Sequence, residues 1–188
     1  MSTIPVRLCG VFPIGPENFL CAVLLWEERQ RFLPVWLPPV EGAQLVGRIA
    51  EWEPKRPDTH DVLVEIIEQS ANGISALEIS SYYNGVFMGK ITMDNGTEID
   101  CRPSDLFVIA SMMDLPIEVD ELVVNQASIW LSPEDAVDYF DVQLDTDTQP
   151  QDHPESASGD AQADADFQQL MRDLGVEEGD LGFDQPGE

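Results

Sequence analysis

The chain has 188 residues, enough for one domain with a substantial core plus a tail and too few for two full domains. Its 36 acidic residues against 9 basic ones leave a net charge of −27; 17 of the acids and a single base lie after position 130, so that stretch carries −16 and the first 130 residues carry −11. This balance excludes strong nonspecific phosphate binding, whose affinity comes from cations displacing counterions, and any nucleic-acid activity has to rest on a local patch.

Cys9, Cys21 and Cys101 are odd in number, widely spaced and without a CxxC pair, so they read as reduced, buried thiols. No basic segment followed by an apolar run and cleavage site opens the chain, and the longest apolar run, Phe19 to Trp26, is far too short to span a bilayer. The expectation is a soluble, cytoplasmic protein with no membrane contact.

Residues 2–12, Phe19 to Trp26 and Phe32 to Leu37 read as three strands joined by short polar connections, an antiparallel start, with Pro34 marking an edge or an irregularity. Pro38 and Pro39 fit only the first turn of a helix, expected over 39–53, with Leu45, Val46, Ile49 and Trp52 as its apolar face. Glu41, Gln44, Arg48 and Glu51 form the opposite, solvated stripe, with Glu41 kept apart because it lies in the first turn beside a strand end. A second helix over 59–72 is capped by Asp58 or Thr59 and stopped by Asn72-Gly73; His60 falls within its apolar arc of Val62, Leu63, Val64, Ile66, Ile67 and Ala71, and Asp61 falls outside it.

Asn84-Gly85 and Asn95-Gly96 then punctuate a three-strand meander near 74–83, 86–93 and 97–101. It leads directly into a helix over 103–113 that is apolar on nearly every side and therefore buried. A short strand at 116–119, a helical turn or two at 120–126, an apolar piece at 129–131 and a capped helix from Ser132 to Phe140 follow. Residues 141–164 lack periodicity and read as disordered, and Phe167, Leu170, Met171 and Leu174 mark a short amphipathic helix near 166–175. The fold class expected is α+β: a mainly antiparallel sheet, built from the N-terminal strands and the meander, with three to four helices and then a disordered acidic tail. The domain is placed at 1–131 and the tail at 132–188.

Two polar stretches stand out in this apolar domain, Arg56-Pro57-Asp58-Thr59-His60-Asp61 and Cys101-Arg102-Pro103-Ser104-Asp105. Each sets an arginine and a proline ahead of a helix and a carboxylate in its first turn, where unpaired N–H groups and the helix dipole favour negative charge. Together with Leu33-Pro34-Val35-Trp36-Leu37 and Glu41, in this order and spacing over roughly residues 5–130, they resemble the bifunctional nuclease domain family, with its "LPIWI…E", "RP-x-THD" and "ARPSDA" segments. The resemblance implies a compact α+β domain, a tendency to form homodimers or larger homo-oligomers, and nuclease activity on DNA and RNA. It carries attention to Glu41, Arg56, Thr59, His60, Asp61, Arg102, Ser104 and Asp105. Asp58 departs from it, standing where the family has an apolar residue.

Phosphodiester hydrolysis needs an activated water, stabilisation of charge on the phosphoryl oxygens and a proton for the leaving oxygen. The expected assignment makes His60, Asp61, Asp105 and Glu41 catalytic, with His60 as acid or base, and gives phosphate binding to Arg56, Arg102, Thr59 and Ser104. Asp61 and Asp105, with Glu41, offer oxygen ligands for magnesium, but no HxH, DxD or HExxH spacing demands one, and the metal is optional. The architectural alternative stays open for each: His60 as a hydrogen-bonded core histidine, Ser104 and Asp105 as partners of the first N–H groups of a buried helix, Arg102 as a structural ion pair. At the level of the molecule, the alternative to a nuclease is a noncatalytic regulatory module whose acidic tail engages a basic protein partner.

Overall fold

The computed structural model describes residues 2–52, 54–70 and 73–144. Of the stretch expected to be disordered, residues 141–144 are described and Val142 is buried, whereas residues 145–188, with the expected amphipathic helix, and the Ala71–Asn72 end of the second helix lie outside the described residues.

Among the described residues eight strands form one mixed sheet: β1 (Thr3–Ile14), β2 (Phe19–Trp26), β3 (Arg31–Leu37), β4 (Ile74–Tyr83), β5 (Val86–Met93), β6 (Glu98–Cys101), β7 (Ile117–Asp120) and β8 (Ile129–Trp130), in the order β6-β5-β4-β7-β1-β2-β3-β8. All pairings are antiparallel except β4 with β7. The two meanders expected from sequence are thus two halves of a single sheet, spliced by β7. Asn84 and Gly85 both take positive φ, 50° and 81°, the backbone a two-residue hairpin needs. At the next turn only Gly96 does, and Gly96 N–H bonds the Met93 carbonyl at 2.8 Å. β8 pairs only with Arg31 and Phe32, so the chain around Pro34 has a strand on one side alone, as a residue without an N–H requires.

Among the described residues five α-helices complete the fold: α1 (Pro39–Ile49), α2 (Thr59–Gln69), α3 (Pro103–Met113), α4 (Glu121–Ala127) and α5 (Pro133–Phe140), one or two more than expected because both short C-terminal pieces close as helices. Among the described residues none is long and apolar enough to cross a membrane. α3 packs on α1, α2, β4 and β5, with Leu106, Phe107, Val108 and Ile109 at most 1% exposed, as its all-round apolar sequence demands. β2 is buried on both faces: Ala22, Leu24 and Trp26 join the core beneath the helices, and Cys21, Val23 and Leu25 join a second cluster with Phe32, Ala136, Phe140 and Val142. That double burial accounts for its unbroken apolar run. Phe140 of α5 stacks at 5.1 Å from Phe12 and 5.6 Å from Phe32, so α5 packs against β1 and β3.

α1 stops four residues short of expectation. Glu51 turns left-handed (φ 55°) and donates its N–H to the Arg48 carbonyl, while Trp52 N–H bonds the Gly47 carbonyl at 2.9 Å, closing the end. Of the apolar face assigned to this helix only Leu45 is buried, and on α2 only Val64 and Ile67 accompany His60 inside; Val62, Leu63 and Ile66 are exposed. Each helix touches the core along a narrow stripe because α3 already fills the centre of the layer.

Candidate functional site

The N-termini of α2 and α3 meet, and the side chains there form one continuous polar network. Arg102, Pro103, Ser104 and Asp105 stand at the N-cap and first three positions of α3. Proline suits the first helical position because that N–H has no intrahelical partner, and a carboxylate two residues on sits in the favourable end of the helix dipole. Asp105 is gripped side-on by Arg102, whose Nε lies 2.8 Å from Oδ2 and whose Nη2 lies 2.9 Å from Oδ1. Arg102 Nη1 reaches Glu41 Oε1 at 2.8 Å, so the first turns of α1 and α3 are tied through one exposed guanidinium.

His60, in the first turn of α2, is buried. Its Nε2 lies 3.2 Å from Asp105 Oδ1 and its Nδ1 lies 2.9 Å from Gln44 Nε2. Gln44 Nε2 also donates to Asp58 Oδ2 at 3.2 Å, and a carboxylate can only accept, so the amide nitrogen faces both groups. Nδ1 of His60 is then the acceptor, and the ring proton sits on Nε2, directed at Asp105. Asp58 is the hub of the other half. Its Oδ1 caps α2 by accepting from the His60 and Asp61 N–H groups, Asp61 returns the favour to the Asp58 N–H at 2.8 Å, and Arg48 Nη2 pairs with Asp58 at 2.8 Å and Asp61 at 2.9 Å.

The charges follow from these contacts. Burial pushes the Asp105 carboxyl up, but the Arg102 hydrogen bond and charge, with the His60 hydrogen bond, outweigh it and hold the group below the usual aspartate range. Asp58 is likewise raised by burial and lowered by more through the Asp61 N–H, Gln44, Arg48 and the His60 N–H. Burial pushes the Cys101 thiol, just before Arg102, up to about 11; all three cysteines are free, though only Cys21 is fully buried.

Of the residues singled out in the sequence, Glu41, His60, Arg102 and Asp105 are brought into direct contact. Asp61 belongs to the same network through Arg48 and Asp58 but does not touch Asp105. Ser104 is buried in the first turn of α3. Arg56 and Thr59 are exposed, and no hydrogen bond or ion pair joins them to the cluster among the described residues. Magnesium is poorly served: Glu41 and Asp105 are both engaged by Arg102, Asp61 by Arg48, and among the described residues no three His, Cys, Asp or Glu side chains converge as a cation site. Sequence reading took Gln44 and Arg48 for a solvated stripe, yet they link the two polar stretches. The available signal was their spacing: Glu41, Gln44 and Arg48 recur at i, i+3 and i+7, so one side of α1 faces both helix starts.

Comparison with known proteins agrees with this arrangement. The bifunctional nuclease domain matches residues 22–132, a span that contains Leu33 to Leu37 with Glu41 and both polar stretches and runs from within β2 through β8. The chain is also similar to two proteins of Mycobacterium tuberculosis, the uncharacterized protein MT1877 of strain CDC 1551 / Oshkosh and the uncharacterized protein Rv1829 of strain ATCC 25618 / H37Rv. Each is 30% identical over 129 residues, 69% of this chain and 79% of theirs. With that domain matched over more than half of its length, the chain belongs to the bifunctional nuclease domain family.

Proposed function

We propose that the protein hydrolyses phosphodiester bonds in DNA or RNA at the joined N-termini of α2 and α3. The observation that carries this reading is the Glu41–Arg102–Asp105–His60 chain of contacts, in which Arg102 is exposed to solvent while His60 behind it is buried. Arg102 binds the phosphoryl oxygens and meets their developing charge. Asp105, kept ionised by its partners, accepts a proton from the attacking water and passes it to the leaving oxygen, and His60 holds it in place through Nε2–H. Glu41 keeps Arg102 aimed. Asp61 fixes the start of α2 through Arg48, Ser104 lies beside Asp105 on α3, and Arg56 and Thr59 extend the phosphate-binding surface along the strand. No step is routed through a metal.

The local cationic patch is small in an acidic chain, so affinity for a labelled single-stranded oligonucleotide should fall with salt at a slope equivalent to about two to three phosphate contacts. Absence of binding at low salt contradicts the reading. A second reading, a noncatalytic regulatory module with a basic partner for the acidic tail, draws support from one observation: both ring nitrogens of His60 are already engaged, as in an architectural cluster. We further propose a cytoplasmic homodimer or higher homo-oligomer; the exposed Val62, Leu63 and Ile66 of α2 supply apolar surface for such contact.

A further inference from the structure

Bordering the polar network at Arg48 and Asp61 lies an open pocket of about 560 Å3. Its walls are Trp52, Pro54, Pro57 and Met112, and Glu51 and Asp61 add carboxylates. Trp52 is 62% exposed, and its place is set by the backbone: the left-handed turn at Glu51 and the Trp52 N–H bond to Gly47 fix the chain. The ring rests over Gly47, where an added Cβ would meet it at 3.7 Å. An exposed indole seated over Gly47 is a stacking platform for a planar ring.

The charge in the cavity selects what that ring belongs to. Arg48, the cation in the wall, is paired with Asp58 and Asp61, so the carboxylates favour a group that donates hydrogen bonds over a phosphate. Nucleobases present such donors on exocyclic amino and ring N–H groups. Lys55 and Arg56 are exposed on the connection between Pro54 and Pro57, where the phosphates flanking a stacked base would run. The hydrogen-bonded series Arg48, Asp58, Gln44 and His60 joins the cavity wall to Asp105.

We propose that this cavity takes an unpaired base of single-stranded nucleic acid, stacked on Trp52 with its amino groups toward Glu51 and Asp61. The inference rests on the nuclease reading for its substrate class and adds the requirement that the base be free of a duplex. Its test uses the full chain, a labelled single-stranded oligonucleotide and a strand of the same length with abasic sites at its central positions. The intact strand should bind about tenfold or more tighter than the abasic one, the range of one stacked base. Trp52→Leu should lose that margin on the intact strand and change binding of the abasic strand little, while Trp52→Phe retains most of it. Should Trp52→Leu fail to fold, quenching of 2-aminopurine in a strand bound to the unaltered protein reports the same stack. Equal affinity for both strands, or no quenching, overturns the inference even if the protein cleaves nucleic acid. A preference for the intact strand without any cleavage upholds the cavity and removes the nuclease reading alone; no binding of either strand removes both.

Discussion

Asp58 shows how much one side chain organises here. Its sequence position before Thr-His-Asp marks a helix cap, and that much was legible. That it also gathers Gln44 and Arg48 from α1 was not, because the pairing depends on where α1 lies across α3 and no local pattern encodes that. Asp58 and Asp105 have folded-state pKa values below the ordinary aspartate value of 3.8. A depressed carboxylate adds stability that is fully present above the unfolded-state value and is lost as pH falls through the folded-state value. The protein should therefore hold its stability down to about pH 4 and lose it progressively below. Asp58→Asn should flatten that loss, measured by circular-dichroism melts between pH 2 and 6 on buffers chosen for the purpose; an unchanged acid limb contradicts the assignment. At neutral pH Asp58→Ala should cost about 1 kcal/mol or more, since it removes the cap and leaves Arg48 with Asp61 alone.

Among the elements, the hairpin strands and α3 were the most legible, because Asn-Gly turns and an all-round apolar helix are strong local signals. α1 was overrun by four residues because its apolar spacing continues to Trp52 while the backbone has already turned at Glu51. The same helix carries a packing constraint that its sequence hides. An added Cβ at Gly42 would lie 2.6 Å from Leu20 Cδ1 and 2.9 Å from Leu20 Cβ, so α1 sits on β2 as closely as a glycine permits. Alanine is the better helix former by about 1 kcal/mol, yet Gly42→Ala should destabilise by about 1–3 kcal/mol through overpacking. Urea unfolding checks this, and a variant as stable as the parent shows that the α1–β2 contact yields freely. Because Glu41 precedes Gly42, the shift should also loosen the Glu41–Arg102 tie.

At the scale of the molecule, the joining of two meanders by β7 and the covering of the second sheet face by α5 were not legible, since both depend on contacts distant in sequence. They have a consequence for dissection: removing residues after 131 strips Ala136, Phe140 and Val142 from Cys21, Val23 and Phe32. A chain ending at 131 should melt several degrees below one ending at 144, as expected for loss of a buried aromatic and its neighbours. Equal melting of the two would show that α5 contributes nothing to the fold. The family assignment makes nuclease chemistry the central expectation, and the Arg102–Asp105–His60 contacts are where we propose it occurs. The most direct measurement is cleavage of single-stranded DNA and RNA by the purified protein, by Asp105→Asn and by His60→Ala, each with its melt recorded. Cleavage should fall about a hundredfold or more in both variants while the melts stay cooperative; cleavage undiminished in both would contradict the site.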